Sequence, residues 1–245
     1  MNKFKKRILK FLDLFFVRKC VSCGELLAYD SEEYLCCECK EKWKEEKNVA
    51  CGQCGKRQSE CTCGFGKRYV ESVRHLAIYD PDDREKVATN VVYALKKSNV
   101  DLVFEFVARE MKNTLVGRID RTATVCANVP RSPKSIKIYG YDHAKKLADI
   151  LADELGVEYV DILRHSGGKT EQKTLNKEQR ILNAKEKCFI RKELAYKIKG
   201  KTVLLVDDIG TTGAMTGVCA ELLHACGAKS VRCILFAKNM RKGKM

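Results

Sequence analysis

The chain has only three prolines and no serine- or glycine-rich stretch, which leaves no room for a long flexible linker. It also lacks a long apolar run. The N-terminus, MNKFKKRILKFLDLFFVRKC, is interrupted by Lys10 and Asp13 and offers no small-residue cleavage site. No later segment reaches the ~18 apolar residues of a membrane span. A signal peptide and a transmembrane helix are therefore not expected, and the reading is a cytoplasmic protein whose thiols are reduced or metal-bound. Acidic side chains are in deficit, with 32 against 47 basic ones and a formal charge of +15. Such an excess favours anionic partners: nucleic acid, phosphorylated metabolites or acidic membrane surfaces. At 45% hydrophobic over 245 residues, the chain can bury a core and suits one domain with a small appendage.

Fourteen cysteines are present, and nine of them lie between Cys20 and Cys63. From Cys20 to about Arg68 there is no apolar periodicity, so something other than burial must hold the segment together. Cys20-x-x-Cys23 is followed by Cys36-x-x-Cys39, and Cys51-x-x-Cys54 by Cys61-x-Cys63. Two close pairs offer four thiolates to a tetrahedral zinc, and the glycines after Cys23 and Cys54 suit tight metal knuckles. The assignment is one structural zinc on Cys20, Cys23, Cys36 and Cys39 and a second on Cys51, Cys54, Cys61 and Cys63. Interleaved pairing and replacement of Cys36 by Cys37 stay open. The paired cysteines echo one another, but no internal repeat is evident. Ahead of them, Phe4, Ile8, Phe11, Leu12 and Phe15 recur at helical spacing among lysines, as in a basic amphipathic helix. The expected division is 1–68 for helix and cysteine head, and 69–245 for the main domain.

After Arg68 strands and helices alternate. Val73 to Tyr79, Thr124 to Pro130, Val157 to Leu163, Lys201 to Asp208 and Ser230 to Lys238 read as strands. Helices are expected after Pro81 through Ser98, from about Asp101 to Val116, from about Tyr141 to Leu155, and from about Gly213 to Cys226. The stretch Arg131 to Ala144 reads as a basic, irregular loop. This pattern implies βαβ crossovers and an α/β fold with a mainly parallel twisted sheet.

Val203 to Gly213, VLLVDDIGTTG, carries the chemistry. Its apolar run suits a central strand buried on both faces, and ligands of such sheets bind at strand carboxyl ends. Asp207 and Asp208 sit at that end and repel unless a cation or a polyhydroxyl ligand shares them. Gly210, Thr211, Thr212 and Gly213 then lead into a helix. Their backbone N–H groups and hydroxyls, with the helix N-terminus, form an anion nest. Carboxylates for ribose hydroxyls beside a nest for a 5′-phosphate match a phosphorylated sugar.

The stretch resembles the phosphoribosyl diphosphate signature of type I phosphoribosyltransferases. The resemblance implies that Asp207 and Asp208 contact the ribose 2′- and 3′-hydroxyls and that Thr211 to Gly213 wrap the 5′-phosphate. Magnesium would be carried mainly by the substrate's diphosphate. With the cysteine pairs, Val129-Pro130, the basic loop and Gln172-x-x-Leu175-x-x-x-x-Arg180-x-x-Asn183, the chain resembles the ComF family. That family joins a phosphoribosyltransferase-like domain to an N-terminal double zinc ribbon. It is linked to the handling of single-stranded DNA in DNA uptake, so such DNA and uptake proteins become expected partners beside phosphoribosyl diphosphate or a nucleotide. One departure stands out. Where the family carries Arg-Gly-Phe-Asn-Gln, this chain has Tyr139, Gly140, Tyr141, Asp142 and His143. The diphosphate or DNA phosphate would then fall to Arg131, Lys134 or Lys137. His143 is an acid/base candidate by its reference pKa, although its place at a helix start suits a surface or packing residue. Turnover stays open.

Overall fold

The computed structural model describes residues 18–28, 31–52, 54–61, 69–167, 185–211 and 213–239. The basic amphipathic segment, Cys63, Thr212 and the Gln172–Asn183 motif lie outside the described residues. A helix, α1 (Cys37–Asn48), crosses the cysteine-rich head. The main domain then runs β1 (Ser72–Tyr79), α2 (Val87–Lys97), α3 (Asp101–Leu115), β2 (Thr124–Asn128), α4 (Pro133–Tyr139) and α5 (His143–Leu155). It continues with β3 (Glu158–Tyr159), β4 (Leu163–His165), β5 (Cys188–Ile190), β6 (Thr202–Gly210), α6 (Ala214–Ala225) and β7 (Ser230–Asn239).

Five strands form one sheet in the order β1-β7-β6-β2-β3, parallel throughout. This is the α/β architecture expected from the sequence, and β6 lies at its centre. Leu204 and Val206 of β6 join one hydrophobic cluster, while Val203 and Leu205 join the other. The period-2 alternation therefore buries both faces, as a continuous Val/Leu run requires. On one face Phe104, Leu147 and Leu151 pack with Ile234 and Phe236; on the other, Val218 and Leu223 of α6 pack with Val231 and Leu235.

The head shares the first of these cores. Trp43 of α1 is 3% exposed, lies 5.4 Å from the Phe236 ring and 5.8 Å from Phe106, and donates from Nε1 to Glu110 at 2.7 Å. Glu46, also on α1, accepts from the backbone N–H groups of Val87 and Ala88 at 2.6 and 2.9 Å. It thereby caps α2, whose own N-cap residue Lys86 makes no side-chain cap.

Three elements differ from the sequence reading. Helix α2 starts at Val87, because Asp80 and Asp83 accept from the backbone of Asp82 and Glu85 and hold turns in front of it. The Arg131–Ala144 stretch contains a helix, α4. Ser132 accepts from the backbone of Ser135 at 3.1 Å, Pro133 opens the helix, and Gly140 closes it at φ +80°. Asp142 then caps α5 through the backbone of Lys145 at 3.0 Å. Lastly, Val157–Leu163 does not run as one strand. Glu158–Tyr159 joins the sheet, the chain turns where Ile162 N–H meets the Val160 carbonyl at 2.8 Å, and β4 pairs antiparallel with β5 instead.

Candidate functional site

Beyond β2 the chain moves toward β3, and beyond β6 toward β7 on the other side, so the carboxyl ends of β2 and β6 flank a topological switch point. Val129 N–H donates to the Val206 carbonyl at 3.0 Å, which sets the residues after β2 beside Asp207 and Asp208. Arg131 stands there. Its guanidinium donates to Asp208 Oδ1 and lies 3.6 Å from Asp207 Oδ1, bridging both carboxylates. Asp208 is 1% exposed and Asp207 15% exposed, so both acids are largely buried and Asp207 is the more accessible of the two.

The two acids are driven apart. Burial and the neighbouring Asp208 charge push the Asp207 carboxyl well above the usual range. Burial would raise Asp208 too, but the charges of Arg131 and His143 outweigh it and hold that carboxyl well below the usual range. The two carboxyls are thereby shifted in opposite directions within one buried site.

His143 is the residue that sequence position undervalued. It is not on the surface but 1% exposed, with Nε2 3.2 Å from Asp208 Oδ2. Neither ring nitrogen, nor Asp208 Oδ2, has a well-aligned hydrogen bond. Tyr139 and Tyr141 meet the ring in T-shaped contacts, with centroids 5.8 and 6.1 Å away. Tyr141 in turn places its hydroxyl on the carbonyls of Leu95 and Ser98, 2.8 Å from the latter. Only the Asp142-capped start of α5, coming after a glycine stop, hinted that this histidine would be turned inward.

The loop between β6 and α6 is described at Gly210, Thr211 and Gly213. Gly210 ends β6, Thr211 is exposed, and Gly213 caps α6 in the left-handed region at φ +71°. A side chain there would be strained, which is the physical reason for glycine. Lys134 and Lys137 are exposed on α4 and make no ion pair among the described residues. The structure thus brings together Asp207, Asp208, Arg131 and His143 at one strand end.

In the head, the sulfurs of Cys20, Cys23, Cys36 and Cys39 lie within 4.8 Å of one another, and those of Cys51, Cys54 and Cys61 likewise. Cys23 and Cys36 are 3.7 Å apart. A tetrahedral zinc with ~2.3 Å bonds to sulfur would set its ligands ~3.8 Å apart, so four thiols at this spacing fit a metal. Cys36 is buried in the cluster, whereas Cys37 is exposed and outside it. The two knuckles repeat one another. Gly24 and Gly55, at φ +80° and +69°, each donate to the carbonyl of the first cysteine of their pair, and a small bridge closes each loop.

A phosphoribosyl transferase domain model matches residues 140–245. The competence protein ComFC of Streptococcus pneumoniae (strain ATCC BAA-255 / R6) is 24% identical over 87% of this chain and 97% of its own length. Among solved structures, an allosteric regulatory enzyme of purine biosynthesis is 17% identical at a TM-score of 0.40, over 60% of this chain but 30% of its own. The adenine phosphoribosyltransferase of Thermoanaerobacter pseudethanolicus is 19% identical at a TM-score of 0.38, over 63% of this chain and 86% of its own. Among the described residues no helix is long and apolar enough to cross a membrane. The chain is accordingly similar to ComFC over most of its length, and it matches the phosphoribosyl transferase domain over residues 140–245, behind cysteine clusters that could hold a metal ion.

Proposed function

We propose that the strand-end site binds phosphoribosyl diphosphate or a closely related phosphorylated ribose. The observation that carries this reading is the convergence, at the carboxyl end of the central strand, of Asp207 and Asp208 with Arg131 and the Gly213-led helix. Asp207, the more accessible acid, would meet the ribose hydroxyls, and Asp208 would join once Arg131 turns toward the diphosphate. Gly210 to Gly213, including Thr211 and Thr212, would hold the 5′-phosphate on N–H groups and the helix dipole. Lys134 and Lys137 add charge for the diphosphate. Arg131 already spans both carboxylates, so the acids do not form a ready cation cage. That agrees with magnesium arriving on the substrate's diphosphate, where it would neutralise the leaving group. Zinc is the metal that suits the head: one ion on Cys20, Cys23, Cys36 and Cys39, a second on Cys51, Cys54 and Cys61 with Cys63. Such ions would supply folding energy rather than chemistry.

By the ComFC relationship, the biological setting is the handling of single-stranded DNA during DNA uptake, in the cytoplasm. A second reading is a pocket that binds a nucleotide or a DNA 5′-phosphate without turnover. The contacts that Arg131 and His143 make to Asp208 favour it, since they occupy the acid that ribose would need. Salvage-type phosphoribosyl transfer outside competence is the third. Calorimetry with phosphoribosyl diphosphate and with a 5′-phosphorylated single strand, wild type against Asp207→Ala/Asp208→Ala, separates these. Several charge-assisted bonds of ~1.5–3 kcal/mol each make micromolar recognition the expectation. No heat at millimolar ligand defeats the binding reading, and binding without release of diphosphate selects the second.

A further inference from the structure

Two cavities lie far from the strand-end site. One, of about 400 Å³, sits where the head meets α3 and is lined by Lys47, Arg57, Glu110 and Arg118 among others. The other, of about 280 Å³, opens at the amino ends of the strands, between Arg74, Arg118 and Arg232 over a floor including Leu115 and Leu204. Arg118 lines both and stands between them. Thr202, at the rim, is six residues before Asp208 on β6, so this groove lies ~20 Å from the acid pair, at the opposite end of the sheet.

The charge arrangement is costly for a structural surface. Ser72 pairs in register with Arg232 on the neighbouring strand, and Arg74 follows Ser72 by two, so the two arginines share one face as diagonal neighbours. Burial, then the charges of Arg118 and Arg232, hold the Arg74 guanidinium below its usual pKa, and Glu60 alone works the other way. Glu71 pairs with Arg232 at 2.7 Å and Glu110 with Lys47 at 2.7 Å. Arg57 and Arg118 make no ion pair among the described residues, and both line the first cavity, where Lys44, Lys47, Arg57 and Arg118 outnumber Glu60 and Glu110. Cations held together without enough acid call for an anion, and two cavities strung on one arginine call for an anion of more than one phosphate.

We propose that this groove is a second anion site, which takes a chain of phosphates across Arg118. Two sources share that chemistry: the backbone of a nucleic-acid strand and inorganic polyphosphate. The test uses the full metal-loaded chain. Anisotropy of a labelled twelve-nucleotide thymidine strand without terminal phosphate is measured across a salt series, with polyphosphate as competitor and as a separate ligand. Arg57→Gln/Arg118→Gln, two exposed or rim positions, is compared with Asp207→Asn/Asp208→Asn, each checked for wild-type melting. The expected result is at least a tenfold loss for the arginine variant. For the strand, the log–log salt slope should fall by about 1.4, two phosphate contacts at ~0.7 each. Calorimetric binding of phosphoribosyl diphosphate stays unchanged in that variant. The tighter of the two chains identifies the source. Wild-type affinity in the arginine variant, absence of binding by both chains, or loss confined to the aspartate variant overturns the proposal. Since the two sites are mutated separately, failure here leaves the strand-end reading untouched.

Discussion

Arg131→Gln should harm this protein more than Asp208→Asn, and by an amount that depends on pH. In the wild type Arg131 sits between two carboxylates, one of them 1% exposed. Removing the guanidinium leaves two adjacent acids at a buried strand end without their largest compensating charge, the situation in which breaking a buried pair costs ~3–5 kcal/mol. For a chain of this size that is a fall in Tm of roughly 6–20 °C. Asp208→Asn leaves Arg131 with Asp207 at 3.6 Å, and at 22% exposed the arginine keeps some water, so the loss should lie below that range. The sign with pH follows from the two directions. The depressed carboxyl of Asp208 contributes stability that is present above its unfolded pKa near 3.9 and lost as pH falls through its lower folded value. Asp207, raised in the folded state, has the opposite sign and costs stability as pH rises above ~3.9. Without Arg131 both acids are raised, so the variant's deficit should be largest at pH 7 and shrink toward pH 4.5. The assay is thermal unfolding by circular dichroism at both pH values. It is read as variant minus wild type, so that any acid-induced metal loss cancels. A deficit that is absent at pH 7, or equal at the two pH values, would refute the reasoning.

Cys36→Ser should lose about one equivalent of bound metal by elemental analysis, whereas Cys37→Ser should lose none, because only Cys36 lies in the sulfur cluster. Trp43→Ala should cost ~3–5 kcal/mol in denaturant unfolding, through lost packing on Phe106 and Phe236 and the lost bond to Glu110. A change under 1 kcal/mol would mean that the head is not docked as described. Gly213→Ala should cost ~1–2 kcal/mol from strain at φ +71° and weaken phosphoribosyl diphosphate binding several-fold by calorimetry; unchanged affinity would take the nest out of recognition.

Local chemistry made much of this protein legible. The knuckles were readable because a pair of cysteines two residues apart followed by glycine is a short-range device. VLLVDDIGTTG was readable because an apolar strand, an acid pair and a glycine-led helix are written in one continuous segment. The errors were also local. Asp80 and Asp83 take backbone partners of their own and delay α2, and Ser132-Pro133 starts a helix within a run that charge and missing periodicity read as loop.

By itself, then, the sequence determined the alternating α/β elements, the central strand with its acids at the carboxyl end, and the close cysteine pairs, because each depends on periodicity or spacing within a few residues. Tertiary structure alone decided what those acids meet. Arg131 reaches Asp208 across 77 residues of chain, and His143 reaches it from the start of α5, because the strand order sets β2 beside β6. The fold likewise placed Cys36 in the sulfur cluster and left Cys37 exposed, set Trp43 into the core of the sheet domain, and gathered Arg74, Arg118 and Arg232 at its far end. Such pairings depend on which surfaces pack together, and no pattern of neighbouring residues encodes that.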